Sequence, residues 1–157
     1  MENTNEDLIE LLNDLILINN DRIVGYEKAI DELKDINIDL KAMFKKMAAE
    51  SREYRTELAT EVASLGGEVA TGTTNIGKVY RVFMDVKATF SGKDRDAVLS
   101  SCLHGEEAAQ DAYASALDSN TPLPVELRHK IALQKNALLE SRNLIKNYRS
   151  LQSDLDL

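Results

Sequence analysis

The chain has only two prolines and seven glycines in 157 residues, one cysteine, two histidines and no tryptophan. So little proline and glycine excludes a strand-rich fold, which needs turn residues about every 8–12 positions. The lone Cys102 cannot close an internal disulfide, and no cysteine partner is present for a zinc site. His104 and His129 fall on different expected helices and differ in depth by about 10 Å, so they do not meet within one chain. No apolar run is long enough for a bilayer, and the acidic start MENTNEDLIELLNDL lacks the basic region of a signal peptide. The expectation is a cytoplasmic protein with no membrane partner. Basic charge is also short: 19 Lys and Arg against 27 Asp and Glu leave a net charge of -8. That balance repels phosphate backbones and argues against nucleic acid. There is no glycine-rich phosphate loop, no Ser/His/Asp set and no Cys/His pair, so hydrolase, kinase and nucleotide-binding readings have nothing to rest on.

What is present is helical periodicity in a composition 43% hydrophobic and 29% charged, which fits a single all-α domain over residues 1–157. Asn3 and Glu6 have the form of a capping box, followed by Leu8, Leu12, Leu15, Asn19, Arg22, Tyr26, Ile30 and Leu33 at steps of three and four. A first helix is expected from about Thr4 to Leu33, with a polar break at Asn19 and Arg22. A second, from about Ile38 to Leu65, carries Leu40, Met43, Phe44, Met47, Tyr54, Leu58 and Val62, and ends at Gly66-Gly67. The short connection makes these two antiparallel. Asp94 is the expected N-cap of a helix that turns Val98, Cys102, Ala109, Tyr113 and Ala116 inward and stops near Asp118. After Pro122 and Pro124 a last helix carries Leu127, Ile131, Leu138, Ile145, Tyr148 and Leu151.

Between the two hairpins, Ile76, Val79, Tyr80, Phe83, Val86 and Phe90 predict a fifth, short helix inside a long crossover. The crossover can travel a full helix length, so the second and third long helices can run parallel. The apolar surface of this short helix, Val82 included, predicts a homodimer that buries part of it.

Shifting the chain by 87 residues lays the first hairpin on the second, with Tyr26 on Tyr113, Leu40 on Leu127, Glu53 on Glu140 and Asn19 on Glu106. Both Asn19–Glu53 and Glu106–Glu140 are 34 residues apart about an expected turn, which predicts all four at one level of the bundle. Glu53, Glu106 and Glu140 are therefore the candidate metal ligands, with Asn19, Asn143, Tyr26 and Tyr113 lining the layer. The competing reading is that these glutamates sit at helix flanks, paired with Arg22, Arg52, Arg142 or water.

This layout resembles the ferritin-like di-metal carboxylate proteins. More closely, LNDL at Leu12–Leu15, GYEKA at Gly25–Ala29, LGGE at Leu65–Glu68 and GEEAAQDAY at Gly105–Tyr113 are similar to a bacterial ferritin-like branch of unknown function, described only as four-helix-bundle proteins. The resemblance implies a ferritin-like four-helix bundle of two antiparallel hairpins. The chain departs from the di-iron pattern where that pattern has Glu and it has Asn19, and where that pattern has His and it has Thr56 and Asn143. Two hard ions want about four carboxylates and two imidazoles. The expectation is thus a non-catalytic bundle with a degenerate site and no cofactor, acting through binding or assembly, with a stress-related role in view. The alternative is an Fe- or Mn-binding ferritin-like protein serving storage or redox chemistry.

Overall fold

The computed structural model describes residues 2–33, 35–74 and 95–155. Among these residues are four helices: α1 (Glu2–Glu32), α2 (Ile38–Ser64), α3 (Arg95–Asp118) and α4 (Val125–Leu155). Among the described residues there is no strand. The expected short helix over Ile76 to Phe90, and the Asp94 cap, lie outside the described residues.

The helices form where the apolar stripes require them. Leu8, Leu12, Leu15 and Tyr26 of α1, Leu40, Phe44, Leu58 and Val62 of α2, Val98, Cys102, Ala109 and Tyr113 of α3, and Leu127, Ile131, Leu138 and Ile145 of α4 are all buried. The stripe of α4 fades before the helix ends: Tyr148 is only half-buried, and Leu151, expected inward, is exposed.

Side-chain bonds between helices give their directions. Arg55 of α2 donates to Asn20 at 3.0 Å and Arg52 pairs with Glu27, so α2 returns antiparallel to α1. Arg142 donates to Glu107 at 2.7 Å and Arg149 to Asp96 at 3.3 Å, making α3 and α4 antiparallel. Tyr26 reaches Glu106 while Asn19 reaches Tyr113, so α1 and α3 also run in opposite senses. Two helices each antiparallel to α1 are parallel to each other. Arg95 at the start of α3 makes this direct, donating to both Asp39 oxygens at the start of α2, at 3.0 and 2.8 Å. That hydrogen bond holds the Asp39 pKa below its ordinary value.

The core is divided. One apolar cluster joins Leu12, Ile16, Leu58, Val62, Ile131 and Leu138, and the other joins Leu33, Leu40, Phe44, Met47, Leu99 and Ile145. Polar residues of all four helices lie between them.

After α2 the chain turns at Gly66, whose φ of +79° suits glycine. Gly67 then passes so close to α1 that an added Cβ would sit 2.8 Å from Ile9. From here residues 68–74 run as a strap along α1. Asn13 grips it twice, donating to the Glu68 carbonyl and accepting from the Ala70 N–H, both at 2.9 Å. One helical repeat further on, Asn20 donates to the Gly72 carbonyl at 2.8 Å, and Asp21 accepts from the Thr74 N–H at 3.0 Å and from its hydroxyl.

Candidate functional site

The break in the α1 stripe is where the site forms. Arg22 is 3% exposed and Glu106 1%. The guanidinium Nε donates to Glu106 Oε1 at 2.9 Å, and Nη2 lies 2.7 Å from the same oxygen without hydrogen-bond geometry. Nη1 reaches the buried Ser51 hydroxyl of α2, and the Tyr26 hydroxyl donates to Glu106 Oε1 as well. The Arg22 guanidinium also stands 5.3 Å from the centre of the Tyr26 ring, within cation–π range. Burial opposes the charge on Arg22, but the Glu106 carboxylate and then the Tyr26 hydroxyl outweigh it, so the pKa is raised and the guanidinium stays protonated. On α4 the buried Ser141 completes this level, one residue before the Arg142 that pairs with Glu107.

A second polar level adjoins the first. Asn19 donates to the Tyr113 hydroxyl at 2.8 Å, that hydroxyl donates to Gln134 Oε1 at 2.7 Å, and Gln134 donates onward to Glu57 at 3.1 Å. The chain leads from the bundle axis to a half-exposed carboxylate. Burial pushes the Tyr113 pKa well up, against the lowering effect of the Asn19 bond. Glu106 Oε2, Asn19 Oδ1 and Ser101 Oγ are buried with no hydrogen-bond partner among the described residues.

The two levels repeat each other. The 87-residue shift that places Tyr26 on Tyr113 also places Asn19 on Glu106, and the structure joins them crosswise, Tyr26 to Glu106 and Tyr113 to Asn19. The same shift places Arg22 on Ala109, which is fully buried in the adjoining core. The first half of the repeat thus carries a neutral amide and a guanidinium, and the second a carboxylate and a methyl group.

The expected convergence of three glutamates is not what the structure brings together. Of Glu53, Glu106 and Glu140, only Glu106 is buried; Glu53, Glu140 and Asn143 are exposed. The nearest buried positions are Ser51, two residues before Glu53, and Ser141, one residue after Glu140, and steps of two and one residue along a helix are rotations of about 200° and 100°. Asn19 and Glu106 also belong to adjacent levels, because Tyr26 stands beside Glu106 and Asn19 beside Tyr113, and these two contacts are seven residues, about 10 Å, apart along each helix. Among the described residues no group of three or more His, Cys, Asp or Glu side chains is placed to hold a metal ion. Tyr26 and Tyr113 do line the layer, both 2% exposed or less.

Sequence reasoning missed Ser51 and Gln134. Ser51 continues the inward phase of Phe44 and Met47, and Gln134 lies three residues after Ile131, so helical phase was the available signal.

No curated protein matches the chain. A family model described as "Domain of unknown function (DUF2383)" matches residues 7–119, a span that holds Asn19, Arg22, Tyr26, Ser51, Glu106 and Tyr113. With most of its length covered by that match, the chain belongs to this family of unknown function.

Proposed function

We propose that the protein is a ferritin-like bundle whose interior cation is its own Arg22, and that it acts through binding or assembly rather than turnover. The observation that carries this reading is the fully buried Arg22–Glu106 pair, with side chains 2% and 0% exposed. A ferritin-like centre needs carboxylates and imidazoles free to turn toward the axis. Here the one buried glutamate already accepts from Arg22 and Tyr26, and its repeat partner is the neutral Asn19. A positive guanidinium in the same layer repels a second cation, so the donor set does not fit an Fe or Mn pair. Parallel α2 and α3, two antiparallel hairpins and the crosswise repeat support the ferritin-like topology.

Melting the protein with and without millimolar Mn(II) or Fe(II) tests this. The expected melting temperatures coincide. A large rise with metal that Glu106→Gln abolishes would overturn the reading in favour of an Fe- or Mn-binding protein.

Assembly as a homodimer is part of the same proposal. Leu133, Leu144 and Leu151, 55%, 41% and 60% exposed, are eleven and seven residues apart and so lie within about 20° of one another on the outer face of α4. Such a stripe suits a helix packed against a second copy.

A further inference from the structure

Beside the strap lies a groove of about 680 Å³, bounded by α1, α2 and residues 69–73. Its volume falls within the range of small-molecule sites, about 300–1,000 Å³. The surface is mainly apolar: Ile23 and Val24 from α1, Ala59 and Ala63 from α2, Val69 and Ala70 from the strap. The small side chains of α2 keep the slot open along about 12 Å, the rise from residue 55 to 63.

Among the described residues one charged group lines it, Arg55. Its described hydrogen bond goes to Asn20 Oδ1 at 3.0 Å, and no carboxylate among the described residues pairs with it. Among the other described arginines, only the exposed Arg128, which donates to the Leu117 carbonyl at 3.2 Å, also lacks a paired carboxylate. Arg22, Arg52, Arg95, Arg142 and Arg149 all pair with a carboxylate, in a chain with eight more acids than bases. A guanidinium has five N–H donors in a fork that matches a carboxylate. Asn20 takes one and holds the group at the groove, while its own amide ties the strap at Gly72.

We propose that this groove binds an apolar molecule ending in a carboxylate, such as a medium- or long-chain fatty acid. The carboxylate pairs with Arg55 and the hydrocarbon lies along Ala59, Ala63, Ile23 and Val69. The inference is independent of whether the Arg22 layer takes a metal, so either can fail alone.

Calorimetric titration of the full chain with dodecanoate below its micelle concentration tests it, with dodecanol as the uncharged comparison. Saturable binding at one per chain is expected, at least about tenfold weaker for dodecanol and for Arg55→Gln, since a hydrogen bond to a charged group is lost. Ala59→Phe fills the slot and should abolish binding. Should that variant fold poorly, the dodecanol comparison and Arg55→Gln, a half-buried change, still decide. No saturable binding, or binding equal for dodecanol and unchanged in Arg55→Gln, would overturn the proposal.

Discussion

Arg22 and Glu106 show why a buried ion pair is not the same thing as a stabilising one. Two desolvated charges recover their hydration only through each other and through Ser51 and Tyr26, so the pair can be close to neutral overall while either half alone is costly. Glu106→Gln leaves a buried, protonated guanidinium without its counter-charge, and should lower unfolding free energy by about 3–5 kcal/mol. Equilibrium denaturation should then show Arg22→Met with Glu106→Leu less destabilised than the sum of the two single changes. Purely additive losses would mean that the two residues do not act as a pair. Three glutamates converging on one desolvated layer would repel each other and be relieved by acid, but with Glu53 and Glu140 exposed the layer offers no such relief. Tyr54 offers the opposite pH range. Burial, reinforced by Glu50, pushes its pKa up to about 12. An acid whose folded pKa is raised binds its proton more tightly in the native state, so stability is unaffected below about pH 10 and falls as pH rises from there toward 12. Stability measured across that window should fall less steeply for Tyr54→Phe, and an unchanged slope would assign the alkaline loss elsewhere.

At the scale of elements, the strap is the clearest case of sequence motifs finding their reason in each other. LNDL supplies Asn13, which satisfies a carbonyl and an N–H of a segment that has no strand beside it. LGGE supplies the turn: Gly66 at positive φ, then Gly67 against Ile9. Gly66→Ala should cost about 1–2 kcal/mol, because the left-handed conformation crowds a Cβ even where the space around it is open. Asn13→Ala should free the strap without unfolding the bundle, read as faster hydrogen exchange at the Ala70 amide while the interior amides of α2 keep their protection. Uniform loss of protection would instead make the strap part of the global unfolding unit.

For the whole molecule, two apolar clusters separated by polar levels make the bundle stable at both ends and specific in the middle. Sliding α1 or α3 by a turn would detach Glu106 from Arg22 and Tyr113 from Asn19 together, while Ser51 on Arg22 and Gln134 on Tyr113 tie α2 and α4 to the same layer. Among the described residues no helix is long and apolar enough to cross a membrane. The outer stripe of α4 bears on assembly: sedimentation at micromolar concentration should show a dimer that Leu133→Glu with Leu144→Glu converts to a monomer, with the helical melt little changed. A wild-type monomer would remove the homodimer from the proposal.

Sequence alone determined the four described helices and most of their core, because a 3.6-residue period in apolar residues leaves few ways to bury a stripe, although α1 starts at Glu2, ahead of the expected Asn3 cap. It also determined which stretch would be polar inside, since Asn19 and Arg22 interrupt an otherwise apolar face. Spacing about a turn sets the height of a residue within one antiparallel hairpin, whereas the offset between the two hairpins, which puts Asn19 and Glu106 at adjacent levels, was decided by packing. Facing is a matter of phase: Glu53 and Glu140 lie off the stripes that hold Met47 and Leu138, and the packed bundle leaves both exposed. Pairing across 84 residues, Arg22 with Glu106, has no local signal at all. It exists because two helices distant in sequence bury their polar residues against each other, and a buried charge must find its partner in three dimensions.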